Sequence, residues 1–259
     1  METEELKPVC LVLGAGAGIG GSVGLRFAAG GFHSVLCRRS DQEGLDRLVA
    51  EIESAGGIAS GFLLNAVEEN AIENLVETVE RDIGPIEVVL FNLGAQTGDR
   101  ALADTSYKAF ELGWRMATFA LFRLASTVLP AMVKRGKGTL LVTSATAAVR
   151  GNAGQHSHAA AMGGRRMLCQ TLNAEFAPKG IHVAHILIDG PVDAPDTLGK
   201  MLGPESYEKL REELGQGKDG LLIPSELAET YWHLAQQHRS AWTHELDLRP
   251  FTDRPWWNH

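Results

Sequence analysis

The sequence predicts a single doubly wound α/β domain of the Rossmann type, in which a parallel seven-stranded sheet is flanked by helices. Three observations carry this prediction. Short apolar runs alternate with stretches of helical pattern along 259 residues, as right-handed βαβ crossovers require. The first apolar run leads directly into a glycine cluster. No linker rich in Pro, Gly or Ser divides the chain, so residues 1–259 form one predicted domain.

Seven apolar runs, rich in Val, Ile and Leu, have the composition of strands that are buried on both faces. They are Val9–Leu13, His33–Cys37, Ile58–Leu64, Val88–Phe91, Thr139–Thr143, His182–Ile188 and Glu245–Leu248. Helices are predicted between them, at Gly20–Gly30, Glu43–Ala55, Glu68–Asp82, Tyr107–Lys134, Ala159–Ala177 and Glu226–His238.

The segment Pro191–Pro224 interrupts this alternation because it is polar and rich in turns. It follows a predicted strand, at the edge where doubly wound sheets place loops that cover a ligand. Two interpretations stay open. The segment is either a substrate-covering apolar lid or an ordinary helical excursion. The lid would be formed by Met201, Leu202, Tyr207, Leu221 and Leu222.

Composition and charge argue against several classes of function. The net charge is −8 without a cluster of Lys and Arg, which argues against a nucleic-acid partner. No apolar run approaches the roughly 20 residues of a membrane span, so no membrane association is expected. The first residues are acidic where a secretory signal would be basic. Cys10, Cys37 and Cys169 lie far apart, as expected for reduced thiols in a cytoplasmic protein.

The glycine cluster Gly14-Ala-Gly16-Ala-Gly18-Ile19-Gly20 lies between a predicted strand and a predicted helix. Glycines let the backbone approach a pyrophosphate, and the N-terminus of the helix offers it N–H groups and a favourable dipole. A tight turn without a ligand is the alternative. The position between strand and helix favours a dinucleotide site.

Arg38 and Arg39 follow the second predicted strand, and no carboxylate precedes Asp41. An acidic residue here would bind the ribose 2′-hydroxyl of NAD, whereas arginine suits the 2′-phosphate of NADP. Two solvated surface arginines are the alternative interpretation. The sequence therefore favours NADP(H), with NAD(H) possible.

With these residues the chain resembles the short-chain dehydrogenase/reductase family. The family's opening T-G-x-x-x-G-x-G motif is present, except that Leu13 replaces the threonine. Phe91-Asn92-Leu93-Gly94 is similar to the family's N-N-A-G, and Asp189-Gly190 stands where the family has P-G. The resemblance implies further cofactor contacts from Asn65, Asn92, Gly94, Gly190 and Val192.

The same resemblance implies four catalytic positions, an asparagine, a serine, a tyrosine and a lysine. In the family the tyrosine donates the proton and the serine orients the substrate carbonyl. The lysine lowers the tyrosine pKa and holds the ribose, and the asparagine supports a water. The corresponding residues of this chain are Ala117, Ala145, His158 and Met162. Ser144 and Ser157 adjoin two of these positions, but no shift of register restores a tyrosine.

His158 has three open interpretations. As a general acid it needs no neighbouring cation, because the unperturbed pKa of histidine is near 6.5, and Met162 removes an ammonium that would disfavour imidazolium. It is otherwise a half-buried helix-start residue bonded to backbone, or a binding residue. His156 and His158 lack a carboxylate or cysteine partner nearby, so no metal site is expected. Groups that would orient a substrate are Thr146, Gln155, His156, His185 and Asp193.

Two functions follow as expectations. The first is an NADP-dependent oxidoreductase of a small carbonyl or alcohol, with His158 as proton donor. The second is a cofactor-binding pseudoenzyme that acts as a redox sensor or partner subunit. The resemblance also implies a homodimer or homotetramer, which the apolar content of Tyr107–Lys134 and Ala159–Ala177 supports.

Overall fold

The computed structural model describes residues 6–94, 100–215 and 217–258. Seven strands lie in this part of the chain: β1 (Val9–Leu13), β2 (His33–Arg38), β3 (Ile58–Leu63), β4 (Ile86–Phe91), β5 (Gly138–Ala145), β6 (Ile181–Ile188) and β7 (Glu245–Leu248). They form one sheet in the order β3-β2-β1-β4-β5-β6-β7, and all neighbouring strands are parallel. The predicted doubly wound parallel sheet is confirmed.

The six predicted helical stretches are present with shifted ends, and the fourth of them is divided in two. The helices are α1 (Ile19–Ala29), α2 (Gln42–Ser54), α3 (Ala71–Asp82), α4 (Tyr107–Trp114), α5 (Ala120–Arg135), α6 (His156–Phe176), α7 (Lys200–Leu202), α8 (Pro204–Leu214) and α9 (Pro224–Gln236). Of these, α7 and α8 are additional helices that were not among the six predicted stretches. Helices α3, α5 and α6 cover one face of the sheet, where the buried core includes Ile72, Leu124 and Cys169. Helices α1, α2 and α9 cover the other face, around Phe27 and Ile52. Both faces are therefore buried, as a parallel sheet requires.

The predicted helix Tyr107–Lys134 is two helices joined by a π-helical turn, Arg115–Phe119. A π turn widens the helix and weakens its regular backbone bonding. Here the Ala117 carbonyl also accepts a hydrogen bond from the buried Arg165 side chain, at 3.0 Å. A side chain that is distant in sequence thus binds the wider turn.

Strand β3 departs from the expectation that every strand is buried on both faces. It is one of the two edge strands of the sheet, and its Ile58 and Leu63 are 40% and 50% exposed. The other edge strand, β7, is half-buried throughout. An edge strand has a neighbour on one side only, so its cover is less complete. The prediction of full burial was therefore wrong for this strand.

The helical stretch Tyr107–Arg135 is long and apolar enough to cross a membrane by length and composition alone. The expectation that no apolar stretch approaches that length is corrected on this point. Half of its most apolar window is buried inside the domain. A core helix passes the same test, and this one packs against the sheet through Leu124 and Val128.

Within Pro191–Pro224, the described residues 191–215 and 217–224 form an excursion that contains α7 and α8. Val192 pairs with Leu222 in an isolated parallel bridge, so the excursion leaves and returns at one point. Tyr207 and Leu222 are buried, whereas Met201 is 58% exposed. Whether the excursion covers a substrate stays a prediction.

Candidate cofactor and active site

The candidate site lies where the strand order reverses, between β1 and β4. In open parallel sheets such a switch point opens a crevice at the carboxyl ends of the strands. The glycine loop follows β1 and Asn92 follows β4, so the topology places both at this crevice. The Asn92 side-chain amide donates a hydrogen bond to the Gly14 carbonyl at 2.9 Å. Asn92 therefore holds the shape of the loop.

Two glycines are required by close backbone contacts within this loop. A Cβ on Gly20 would lie 2.2 Å from the Gly14 carbonyl oxygen. Gly14 has φ +98°, and a Cβ there would lie 2.6 Å from the Asn92 carbonyl oxygen. Side chains at these positions would push the loop away from the strands.

The start of α1 has the properties of an anion-binding site. Its N-cap residue is Gly18, and in the described chain no side chain caps this end of the helix. The first turn contains no acidic residue that would repel an anion. Uncapped N–H groups and the positive end of the helix dipole favour a bound anion. The loop and helix therefore fit the pyrophosphate of a dinucleotide.

Arg38 is bound by two carboxylates of the protein itself. Its Nη2 lies 2.9 Å from Asp41 Oδ2 and 3.0 Å from Asp196 Oδ2. Arg39, in contrast, is exposed. The two predicted 2′-phosphate ligands thus differ, since Arg38 is engaged in ion pairs and Arg39 faces solvent.

Asp196 reaches the glycine loop from the excursion after β6. Its carboxylate accepts a hydrogen bond from the Ala17 N–H at 2.8 Å and lies 3.1 Å from Lys200 Nζ. Burial alone would raise the pKa of Asp196, but the Ala17 N–H, Lys200 and Arg38 outweigh burial and lower it. The carboxylate is therefore ionised at neutral pH and acts as an anion at the loop.

The remaining predicted cofactor residues lie around the same edge of the sheet. The Asn65 side chain donates to Glu68 Oε1 at 2.9 Å. Gly94 is exposed, and a Cβ there would meet no atom within 4 Å. Gly190 has φ +150°, and a Cβ there would lie 2.6 Å from Pro250 Cδ. The C-terminal residues thus pack onto the corner after β6.

Two of the four positions that the resemblance marks as catalytic are filled by apolar packing. Ala117 and Met162 are 0% and 2% exposed and belong to one small cluster with Ala147 and Ala161. Ala145, at the end of β5, is half-buried and brings no polar side chain. The prediction that Met162 fills the core is confirmed.

His158 lies in the first turn of α6 and is half-buried. It lines a pocket whose cavity volume is about 10 Å³, room for roughly one water molecule. The other lining residues are Arg100, Thr105, Ala109, Gly154, Gln155 and Ser157. This pocket by itself is too small for a carbonyl substrate.

Ser144 and Ser157 adjoin Ala145 and His158, and the hydroxyls of both serines contact other groups of the protein. Ser144 is buried, and its hydroxyl points to Met162 Sδ at 3.8 Å. The Ser157 hydroxyl lies 3.3 and 3.2 Å from the carbonyl oxygens of Ala109 and Phe110, which accept from it. Neither hydroxyl replaces the serine of the family pattern in this conformation.

Two of the five candidate substrate-orienting groups are also engaged. His185 is fully buried, with Nδ1 3.0 Å from Glu245 Oε2, and burial lowers its pKa to about 4. Asp193 accepts a short hydrogen bond from the Tyr207 hydroxyl and pairs with Arg211 at 3.2 Å. The half-buried Thr146, Gln155 and His156 remain as candidates. In the described ranges, no group of three or more His, Cys, Asp or Glu residues is arranged to hold a metal ion.

Arg165 is a buried charge that the sequence analysis did not single out. It is 2% exposed, and burial lowers its pKa to about 10. Its guanidinium donates to the carbonyls of Ala117, Thr143 and Leu93 at 3.0, 2.6 and 2.7 Å. One side chain thus joins the π turn, β5 and the loop after β4, and its position seven residues after His158 on α6 was the only signal in the sequence.

The model of the short chain dehydrogenase family matches residues 8–197. The chain belongs to the short-chain dehydrogenase family. A 3-oxoacyl-[acyl-carrier-protein] reductase of Thermotoga maritima is 29% identical over 232 residues, which cover 90% of this chain and 92% of that one.

Solved structures agree with this assignment. A short-chain dehydrogenase of Rhodopseudomonas palustris is 33% identical with a TM-score of 0.78, covering 94% of this chain and 99% of that one. A variant of the actinorhodin polyketide ketoreductase, solved with NADPH, is 25% identical with a TM-score of 0.82, covering 94% and 96%. This short-chain dehydrogenase thus has the nicotinamide-dinucleotide-binding fold of an oxidoreductase.

Proposed function

We propose that this short-chain dehydrogenase binds NADP(H) and is an oxidoreductase of a small carbonyl or alcohol substrate, with His158 as proton donor. The position of His158 carries the proposal. It is a half-buried imidazole in the first turn of α6, on the position that the family uses for its proton donor, and it lines a pocket. Imidazole transfers protons near neutral pH without a neighbouring cation.

The choice of NADP(H) rests on the two arginines after β2. Arg39 is exposed beside the crevice, and Arg38 is held at the end of β2 by Asp41 and Asp196. A guanidinium suits a 2′-phosphate better than a ribose hydroxyl. The glycine loop and the start of α1 would hold the pyrophosphate, with Asn92 maintaining the loop.

The chain's own residues define how the reaction would proceed. A bound nicotinamide would donate or accept the hydride. His158 would hold the proton at the carbonyl oxygen, and Met162 beside it leaves the imidazolium without a repelling ammonium. Ala145 offers no hydroxyl, so Thr146, Gln155 or His156 would orient the carbonyl. Loss of one such donor typically costs about 2.7–4 kcal/mol of transition-state stabilisation, so we expect slow turnover.

A second candidate is a cofactor-binding pseudoenzyme that acts as a redox sensor or partner subunit. The apolar cluster of Ala117, Ala147, Ala161 and Met162 favours it. That cluster fills the space of two polar groups, so the site is packed for stability. A pseudoenzyme would bind the dinucleotide and turn over nothing.

The exposed face of α4 and α5 supports a homodimer or homotetramer. Trp114 stacks on Phe119 with ring centroids 5.4 Å apart, and Phe119 stacks on Phe122 at 6.4 Å. These rings are 43%, 37% and 51% exposed, in that order. A row of exposed aromatic rings is typical of an interface. Phe122→Glu should therefore lower the oligomeric state in sedimentation velocity.

The three cysteine thiols are the basis on which we propose a cellular compartment. Cys10, Cys37 and Cys169 are free and buried, and burial raises the pKa of each thiol, to about 12 for Cys169. Protonated buried thiols suit a reducing compartment, so we place the protein in the cytoplasm.

One experiment separates the two functions. NADPH and NADH are titrated by nicotinamide fluorescence, and small carbonyls are then screened across pH with the wild type, His158→Ala and His33→Ala. We expect His158→Ala to lower kcat by about 10²-fold or more, since general acids contribute that much. His33→Ala is the matched control and should stay within a few-fold of wild type, because His33 is also half-buried but lies at the start of β2, at the opposite edge of the sheet.

Each outcome of this experiment has a different consequence for the two proposed functions. Binding without turnover on any substrate supports the pseudoenzyme. Turnover that His158→Ala leaves unchanged removes His158 as proton donor. No binding of either dinucleotide contradicts both functions.

A further inference from the structure

Asp196 binds the cofactor end of the molecule from a distant part of the sequence. Its Oδ2 accepts from the Ala17 N–H at 2.8 Å and lies 3.0 Å from Arg38 Nη2, while its Oδ1 lies 3.1 Å from Lys200 Nζ. The Asp196 side chain is 22% exposed, so water screens these contacts only in part. One carboxylate thus joins the glycine loop, the end of β2 and the excursion Pro191–Pro224.

The Ala17 N–H and the Arg38 guanidinium are donors of the kind that bind a cofactor phosphate. Backbone N–H groups at the start of a helix bind anions, and a guanidinium binds phosphate oxygens. A carboxylate accepts from the same groups. Two like charges about 4 Å apart repel by about 1 kcal/mol in bulk water and by more where water is partly excluded. Asp196 and a phosphate on these donors therefore exclude each other.

Packing between the loop and the excursion is already tight. A Cβ on Gly18 would lie 2.9 Å from Ala194 Cβ, and a Cβ on Gly16 would lie 3.3 Å from Asp196 Oδ2. Residues of the excursion therefore lie directly on the two glycines that a pyrophosphate would approach. The excursion leaves little space even for an added methyl group on this side of the two glycines.

Two contacts hold the base of residues 193–221. Val192 pairs with Leu222, and the Asp193 N–H donates to the Leu222 carbonyl at 2.9 Å. These bonds fix the base of residues 193–221. The contacts of Asp196 with the loop and Arg38 are polar and reversible, so an anion that binds the same donors more strongly displaces them.

We propose that Asp196 is an internal anion that competes with the cofactor phosphates, so that NADP(H) binds only when residues 193–221 release the glycine loop. The inference rests on the proposed function, because NADP(H) is its ligand. It makes Asp196 a determinant of cofactor selectivity. Removing its charge takes away one of the two carboxylates on Arg38 and leaves the pair with Asp41, so the guanidinium is more available to the 2′-phosphate, which NADH lacks.

The test uses the full chain with Asp196→Asn and Glu205→Gln. Asparagine keeps the shape and an acceptor for the Ala17 N–H but loses the ion pair with Arg38. Glu205 is an exposed carboxylate of the same excursion, so Glu205→Gln matches the change in net charge. NADPH and NADH are titrated calorimetrically, and amide exchange over residues 193–221 is measured in the free proteins.

We expect Asp196→Asn to bind NADPH about fivefold or more tightly than wild type, with a smaller gain for NADH. Exchange over residues 193–221 should be faster in free Asp196→Asn, and Glu205→Gln should match wild type in both measurements. NADPH affinity that is unchanged or weaker in Asp196→Asn, while wild type binds NADPH, overturns this inference alone. No dinucleotide binding by either protein overturns the proposed function and this inference with it.

Discussion

The cofactor end and the catalytic end of this site have changed in different ways. At the cofactor end the glycines and the uncapped start of α1 are present, and Asp196 and Asp41 engage the arginine beside them. At the catalytic end the positions that the resemblance marks are occupied by Ala117, Ala145 and Met162, and apolar side chains fill the space. The cofactor end is contacted by ionised side chains of the protein itself, whereas the other end is filled by apolar side chains.

The difference follows from what each end is made of. The pyrophosphate site uses backbone N–H groups, which any sequence retains as long as glycine lets the backbone approach. The catalytic site uses side chains, and each substitution removes its donor completely. We therefore expect substitutions to remove the usual chemistry of such a chain more readily than its dinucleotide binding.

The largest effect we predict concerns Arg165, the buried arginine that binds the Ala117 carbonyl. Arg165→Met should lower the free energy of unfolding by about 3–5 kcal/mol, because three buried carbonyls lose their donor. Arg166→Met, which removes a partly exposed pair with Glu245, is the control and should cost about 1 kcal/mol or less. Urea unfolding measures both. A loss below 1 kcal/mol for Arg165→Met would show that apolar packing alone supports this end.

The next prediction is a loss of stability in mild acid. Burial lowers the pKa of His185 from 6.5 to about 4, although Glu245 opposes the shift and Arg165 and Arg166 add to it. Between these pH values the unfolded chain binds a proton that the folded chain does not, so stability is full above about pH 6.5 and falls toward pH 4. The shift corresponds to about 3 kcal/mol. Denaturant midpoints at pH 7 and 4.5 should differ less in His185→Gln; equal differences would contradict the assignment.

A smaller effect tests whether the cofactor end depends on backbone approach. Gly20→Ala should lower stability by about 2 kcal/mol and abolish measurable NADPH binding, because its Cβ would lie 2.2 Å from the Gly14 carbonyl oxygen. Gly163→Ala is the matched control, since a Cβ there meets nothing within 4 Å, and should stabilise α6 by about 0.5–1 kcal/mol. Calorimetric titration and thermal melts report both. Retained NADPH binding in Gly20→Ala would place the cofactor elsewhere.

The smallest effect concerns Ala145, at the position where the family has the serine that orients the substrate carbonyl. Ala145→Ser restores a hydroxyl at the end of β5, and we expect kcat to rise about tenfold on any carbonyl the wild type reduces. Ala148→Ser, also half-buried and close to the same strand end, controls for added polarity. A rise in both variants or in neither would argue against Ala145 as the missing donor position.

Particular residues show which features of the fold could be predicted from the sequence and which could not. The seven strands along the chain and the glycine loop after the first of them were predicted correctly, because the periods of apolar residues and the placement of glycine are local properties. The break at Arg115–Phe119 was not predicted, since it involves Arg165 of another helix. The exposure of β3 was missed for a similar reason, because an edge position depends on the neighbours of the strand.

The sequence by itself determined the doubly wound fold, the glycine loop between the first strand and helix, and the identity of the residues at the four positions that the resemblance marks as catalytic. Only the tertiary structure decided that Asp196 lies on the glycine loop, 179 residues from Ala17, and that Arg38 is already paired. The physical reason is the range of the interactions. Backbone preferences and apolar periods act over a few residues, whereas ion pairs and packing join groups that are brought together only when the chain has folded.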